Sequence, residues 1–179
     1  DTGINPADID EAIIGCVLPA GIGQAPARQA VLKAGLSQAT GTTTINKVCG
    51  SGMKSVMLAS DTLKAGSAHV VLAGGMESMS GAPYLLPKAR EGYRMGHQEV
   101  LDHMFFDGLQ NPYDGNMMGH FAEETSKKYE FSREAQDEFA IESVKRARAA
   151  IESGAFEAEV APVTFTHRRK EHTVSVDEE

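Results

Sequence analysis

Three short runs of apolar and β-branched residues, separated by two segments with helical periodicity, constrain the fold of this chain most strongly. The runs are residues 12–18, 42–48 and 69–73, and the helical patterns cover residues 26–35 and 51–66. Proline at the first helical position and glycine at the end are typical helix boundaries. Strands separated by helices of this length pair in parallel, with right-handed crossovers. The first part of the chain is therefore predicted to be a layered α/β structure.

The pattern changes near residue 80, where glycines and prolines interrupt the chain and the alternation stops. Long irregular segments that still carry large apolar residues are usually functional. Two helices are predicted further on, at 118–129 and after the N-cap residue Ser132, followed by a strand-like run at 160–165. We therefore predict an α/β domain over residues 1–79 and a second, mostly helical domain over residues 80–179.

Composition excludes several classes of protein. The 179 residues carry a net charge of −8, which is unfavourable for general nucleic-acid binding. The basic tract at 167–172 is interpreted as a solvated loop. Two cysteines do not form a disulfide framework and favour a reducing compartment. The longest uncharged stretch, residues 12–27, contains two prolines and is too short for a membrane span. The chain starts without Met, so we expect a portion of a longer protein.

The most informative local feature is the sequence NKVCGSG at residues 46–52, which places Cys49 where a strand ends and a helix begins. A helix N-terminus carries partial positive charge and free amides, which favour a thiolate and can hold an oxyanion. Gly50 and Gly52 leave room for a substrate and permit a strained turn. The alternative is a buried structural cysteine, the common fate of this residue type. Cys16, inside an apolar strand, is predicted to belong to the core.

Other motifs are weaker. The segment 50–55 lacks both the third glycine of a dinucleotide fingerprint and the spacing of a P-loop. Asp102, His103 and Asp107 contain metal-ligating atoms, but without a second histidine at helical spacing a polar loop is favoured and no metal is expected. His120 and Glu123 share one helical face, which is either a proton-transfer pair or a solvated surface.

The sequence resembles the thiolase family, of the acetyl-CoA acetyltransferase type, along nearly its whole length. The resemblance rests on NKVCGSG at 46–52, GGMESMS at 74–80 with APYLL at 82–86, and DGL at 107–109 leading to MG at 118–119 and AE at 122–123. It implies a thiolase-like layered αβα half with an inserted, mostly helical loop domain that shapes a coenzyme A tunnel. It also implies that the first strand and the C-terminal half of the family fold lie outside this chain.

The resemblance also implies roles for individual residues. Cys49 is expected to be the catalytic, acyl-accepting nucleophile, with its backbone amide holding the acyl oxyanion. Leu109 and Met118 stand where relatives contact the pantetheine or acyl part of the substrate. Short-chain relatives often have His before Met-Gly, whereas this chain has Met117, so one polar contact is absent.

The implied activity is reversible: thiolytic cleavage of 3-ketoacyl-CoA, or condensation of two acetyl-CoA molecules. Relatives supply the proton-transfer groups from a Gly-His-Pro segment and a second cysteine near glycines, neither of which this sequence contains. We therefore expect 179 residues alone to be inactive.

The remaining expectations also follow from the resemblance. Acyl-CoA and coenzyme A are expected as substrates without a separate cofactor, and the protein is expected to form homodimers or homotetramers. Fatty acid metabolism and a cytoplasmic location are expected, with mitochondria and peroxisomes as alternatives. Nucleic acid and membrane are not expected as partners. Two rival functions remain: a β-ketoacyl synthase-type condensing enzyme, and a non-catalytic acyl-CoA- or lipid-binding protein.

Overall fold

A computed structural model describes residues 2–176 and contains a three-stranded parallel sheet near its start. The strands are β1 (Glu11–Gly15), β2 (Gly41–Ile45) and β3 (Val71–Gly75), in the order β2-β1-β3. Parallel pairing confirms the prediction from the alternating pattern. All three strands are displaced from their predicted positions, because β1 and β2 end three residues early and β3 starts two residues late.

Two helices connect these strands, α1 (Pro26–Lys33) and α2 (Ser51–Lys64). Both end as predicted at glycines in the left-handed region, where Gly35 has φ of 83° and Gly66 has φ of 70°. The chain then closes each helix with a backbone bond that reaches back over the last turn, such as Leu36 N–H to the Val31 carbonyl at 3.2 Å.

The hydrophobic core lies between this sheet and its helices. Its buried apolar residues are Ala12, Ile13, Cys16, Leu18, Ala27, Val31, Ala59 and Ala68. Small residues predominate, so the helices can approach the strands closely. Cys16 is 3% exposed, in agreement with its predicted place in the core.

The segment after β3 is irregular but contains short regular elements. β4 (Tyr84–Leu85) pairs antiparallel with β5 (Leu101–Asp102). A π-helical turn (Phe105–Leu109) follows, and α3 (Met118–Lys128) begins shortly after it.

The chain forms two compact units that divide between Phe121 and Ala122. The domain division near residue 80 stays a prediction. The second unit contains the long helix α4 (Arg133–Glu152), whose N-cap Ser132 accepts a hydrogen bond from the Ala135 amide at 3.1 Å, as predicted.

The second unit also contains a hairpin of β6 (Val163–His167) and β7 (Lys170–Val174). Interpreting the basic tract as a loop was therefore partly wrong, because Arg168 and Arg169 form a tight turn with φ of 48° and 64° and β7 begins at Lys170. Within residues 122–176 no residue is buried. Among the residues described, no helix is both long and apolar enough to cross a membrane.

Candidate active site

The three parallel strands end in register, and the segments that follow them meet at the carboxyl edge of the sheet, the side on which all three strands end. Gly15 at the end of β1 lies between Ile45 of β2 and Gly75 of β3. In open α/β sheets, ligands bind outside the carboxyl ends of the strands. This edge is therefore where a functional site is expected.

Cys49 lies at this edge, in the short connection between β2 and α2, and is exposed. The N-cap of α2 is Gly50, whose lack of a side chain leaves the first turn without a side-chain cap. The amides of a first helical turn have no intrahelical acceptor, and they favour negative charge nearby. The geometry of this connection agrees with the predicted strand-to-helix turn, and excludes the alternative of a buried cysteine.

The strained residue of the turn is not one of the glycines that the sequence predicted. Gly50 has φ of −90°, which any residue can adopt, whereas Val48 has φ of 47°. A β-branched residue in the left-handed region is uncommon and costs free energy. The expectation that the glycines absorb the strain was wrong, because the residue before Cys49 carries it.

Side-chain hydrogen bonds surround this strained residue. Asn46 Oδ1 accepts from the Val48 amide at 2.8 Å. Ser51 Oγ accepts from the Lys47 amide at 2.8 Å and donates to the Val48 carbonyl at 2.6 Å. Ser51 is 5% exposed, so its two bonds are partly shielded from water, whereas the bond between Asn46 and Val48 is exposed.

Glycines at the strand ends let α2 approach the sheet. A Cβ atom at Gly15 would lie 2.5 Å from the Ser51 carbonyl carbon, and one at Gly75 would lie 3.2 Å from Gly52 Cα. The first contact is closer than real Cβ atoms allow. Sequence reasoning overlooked this pair of glycines, although each one is the last residue of a strand.

Glu77 is a further residue that sequence reasoning overlooked. Its carboxylate accepts hydrogen bonds from the Val17 amide at 2.8 Å and the Leu18 amide at 2.9 Å, and the Cys16 thiol lies 3.6 Å from Oε1. Burial, with Glu77 adding a smaller effect, raises the pKa of the Cys16 thiol. Cys16 is therefore kept neutral, whereas Glu77 fixes the chain after β1. The only sequence signal was its place in the GGMES run.

Two adjoining cavities contain Cys49, with volumes of about 280 Å³ and 190 Å³. Both are also lined by Val17, Val48 and Glu77. The smaller one extends to Met79 and to the π-helical turn, where Leu109 forms part of its wall. The structure thus brings Leu109 and Cys49 to one apolar cavity.

Met118, the other predicted substrate contact, is the first residue of α3 and is 45% exposed. It does not line either of the two cavities that contain Cys49. Its role therefore stays a prediction.

His103 has a structural environment. It is 4% exposed, its Nδ1 lies 2.6 Å from Asp107 Oδ2, and its Nε2 accepts from the Ala20 amide at 3.4 Å. These contacts join the segment after β1 to the π-helical turn and hold that turn in place. Residues 2–176 contain no group of three or more His, Cys, Asp and Glu side chains placed to hold a metal ion.

Neither Cys49 cavity is lined by any of the four histidines of residues 2–121. These are His69, His97, His103 and His120. Within this unit, no imidazole therefore stands beside the thiol as a base.

Comparison with known proteins identifies the family. The acetyl-CoA acetyltransferase of Escherichia coli (strain K12) is 52% identical over 176 residues, which cover 98% of this chain and 45% of that protein. The acetyl-CoA acetyltransferase of Cupriavidus necator is 50% identical over 93% of this chain and 42% of its own length. The chain thus spans less than half the length of these relatives.

The crystal structure of the Bacillus anthracis acetyl-CoA acetyltransferase has a TM-score of 0.93 at 40% identity, covering 98% of this chain and 44% of that chain. The fold class predicted from the sequence is thereby confirmed. The family model of the thiolase N-terminal domain matches residues 1–179. The chain therefore belongs to the thiolase family.

Proposed function

We propose that the protein is an acyltransferase of the acetyl-CoA acetyltransferase type, with Cys49 as its nucleophile. The observation that carries the proposal is the exposed Cys49 at the N-terminus of α2, in a cavity lined mostly by apolar side chains. The names of the relatives support the same activity.

In the degradative direction, the Cys49 thiolate attacks the 3-keto carbon of a 3-ketoacyl-CoA. The tetrahedral oxyanion then collapses, the bond between carbons 2 and 3 breaks, and the enolate of acetyl-CoA leaves and takes up a proton. Coenzyme A next attacks the acyl group on Cys49, which releases a shortened acyl-CoA and returns the thiolate. The backbone amide of Cys49 stabilises the oxyanion.

In the synthetic direction, acetyl-CoA acetylates Cys49, and the deprotonated α-carbon of a second acetyl-CoA attacks that acetyl group. Acyl transfer between two thioesters is readily reversible because reactant and product have similar free energy. A proton acceptor and donor are required in both directions. We assign them to a part of the protein outside residues 2–121, since no histidine of that unit lines the Cys49 cavities.

The acyl-CoA is a substrate, and the proposal includes no separate cofactor. The apolar wall formed by Met104, Gly108 and Leu109 suits an acyl or pantetheine chain. We assign Met118 a contact with the part of the acyl or pantetheine chain that lies further from Cys49. Its exposed position at the start of α3 is compatible with a contact outside the Cys49 cavity.

The proposal also covers the metabolic role, the location and the oligomeric state of the protein. A role in fatty acid metabolism follows from the substrate class. A cytoplasmic location is supported by the two free cysteines, which persist in a reducing compartment. A homodimer or homotetramer is expected from the family, and size-exclusion chromatography with light scattering measures it.

The proposal is tested by incubating the full-length protein with acetyl-CoA and following its acetylation. Mass spectrometry is expected to find one acetyl group on Cys49, and Cys49→Ala is expected to abolish it, whereas the matched variant Cys16→Ala retains it. Iodoacetamide is expected to label Cys49 faster than Cys16, because Cys16 is buried with a raised pKa. Acetyl-CoA should protect Cys49 from this labelling.

Two outcomes would favour the rival functions. Equal, slow labelling of both cysteines without acetylation contradicts the acyltransferase and favours a binding protein. Acetylation from acyl-carrier-protein thioesters but not from acetyl-CoA favours a β-ketoacyl synthase-type enzyme.

A further inference from the structure

The conformation of Val48 has to be maintained by its neighbours. Its φ of 47° lies in the region that β-branched residues populate least. Strained backbone persists only where the surrounding structure fixes it, and it concentrates at functional sites. Val48 directly precedes Cys49, so relaxation of this residue would redirect the cysteine.

Ser51 is placed to prevent that relaxation. Its hydroxyl accepts from the Lys47 amide at 2.8 Å and donates to the Val48 carbonyl at 2.6 Å, so one side chain holds the backbone on both sides of the strained φ angle. Asn46 adds a third bond, because its Oδ1 accepts from the Val48 amide at 2.8 Å. Both polar groups of the Val48 backbone are therefore bound by side chains, and the Val48 carbonyl also accepts from the Ser51 backbone amide at 3.1 Å.

The Val48 carbonyl has a direct connection to catalysis. It belongs to the same planar peptide group as the Cys49 amide. In a trans peptide the C=O and N–H point in opposite directions, so fixing the Val48 carbonyl also fixes the direction of the Cys49 N–H. In the proposed function, that amide donates a hydrogen bond to the oxyanion.

We propose that Ser51, assisted by Asn46, is a positioning residue that holds Val48 in its left-handed conformation and thereby orients the thiol and the amide of Cys49. This inference rests on the proposed function for its meaning in catalysis. The geometric part, that Ser51 acts on Cys49 through Val48, is independent of which acyl donor the protein uses.

A double-mutant cycle between positions 51 and 48 tests the inference. Ser51→Ala removes the two hydroxyl bonds and leaves the bond from the Ser51 amide to the Val48 carbonyl, whereas Val48→Gly makes a φ of 47° accessible without strain. The two substitutions are made singly and together in the full-length protein. Two rates are measured for each protein: alkylation of Cys49 by iodoacetamide across pH, and acetylation of Cys49 by acetyl-CoA.

Ser51→Ala alone is expected to slow acetylation about tenfold and alkylation about threefold, because acetylation also depends on the amide. When Val48→Gly is present as well, Ser51→Ala should change either rate by less than about twofold. Equal effects of Ser51→Ala with and without Val48→Gly would overturn the inference, and so would an unchanged alkylation rate in the single variant.

Ser55→Ala is the matched control. Ser55 is also a buried serine of α2, but its one hydroxyl proton is shared between the Gly52 carbonyl at 2.6 Å and the Gly74 carbonyl at 2.8 Å. Its effect on the two rates should be the same with and without Val48→Gly. Coupling of equal size at Ser55 would show a general loss of helix packing and contradict the role of Ser51.

A second cycle uses Asn46→Ala in place of Ser51→Ala and decides the matter if the serine variant fails to fold. Rescue of Asn46→Ala by Val48→Gly supports the inference, and its absence contradicts it. If alkylation shows the coupling but no protein is acetylated, the positioning role stands and the proposed function fails.

Discussion

The two ends of the parallel sheet are held by the same kind of bond, a carboxylate that accepts from two consecutive amides. At the amino end, Asp10 accepts from the His69 amide at 2.6 Å and the Val70 amide at 3.1 Å. At the carboxyl end, Glu77 accepts from the amides of Val17 and Leu18. Each carboxylate ties a segment next to β1 to one next to β3.

The two ends differ in what surrounds the carboxylate. Both α1 and α2 begin at the carboxyl end, so the partial positive charges of their N-termini lie there, and the N-terminus of α2 lines a Cys49 cavity. The amino end receives the helix C-termini and carries the exposed tie from Asp10, together with the buried Thr40, whose hydroxyl donates to the Ile9 carbonyl at 2.9 Å. The comparison indicates that the shared bond stabilises the sheet, whereas helix direction decides at which end the candidate site lies.

Gly15→Ala is expected to disturb the carboxyl end most. The added methyl group would lie 2.5 Å from backbone of Ser51, so α2 has to move away from the sheet at a cost of about 2–4 kcal/mol. Urea unfolding measures this loss, and slower alkylation of Cys49 should accompany it. Gly74→Ala is the control, because a Cβ there meets nothing within 4 Å. Similar losses for both variants would disprove the close-packing argument.

Glu77→Gln is expected to have the next largest effect. A glutamine side chain offers one oxygen to the amides of Val17 and Leu18 and turns an N–H group toward the other donor, which costs about 1–3 kcal/mol. Because Glu77 lines both Cys49 cavities, alkylation of Cys49 should change as well. Thermal unfolding and alkylation rates are compared with Glu91→Gln, in an exposed turn. If stability falls while the alkylation rate of Cys49 stays unchanged, the Glu77 hydrogen bonds stabilise the sheet without influencing the Cys49 site.

Asp10→Asn should produce the smallest effect, visible mainly as a change in acid stability. Hydrogen bonds from His69 and Val70 lower the pKa of Asp10 below its ordinary value of 3.8. A carboxylate with a lowered folded-state pKa stabilises the fold above its unfolded pKa, and this contribution disappears as pH falls through the folded value. Unfolding at a series of pH values below about 5 should show a shallower acid loss in the variant. Alkylation of Cys49 should stay unchanged; a change there would contradict the division between the two ends.

Local sequence signals predicted much of the fold because they act within a few residues. Glycine at 35 and 66 ended helices, and Ser132 capped one, since capping depends on neighbouring backbone alone. The hairpin strand β7 was missed because its sequence, KEHTV, is too polar for the apolar pattern of a buried strand. The strained Val48 was missed because sequence propensity assigns positive φ to glycine, whereas here the hydrogen bonds that Val48 makes with the Asn46 and Ser51 side chains compensate.

By itself, the sequence determined the order of strands and helices and the position of Cys49 at a strand-to-helix junction, because periodicity and helix boundaries are local properties. Only the tertiary structure decided that β1 lies between β2 and β3, that Gly15 meets Ser51, and that Glu77 binds the amides 60 and 59 residues before it. Such contacts join residues that are distant in the chain. They depend on which small side chains let backbones approach, and that is settled only when the whole sheet and its helices pack together.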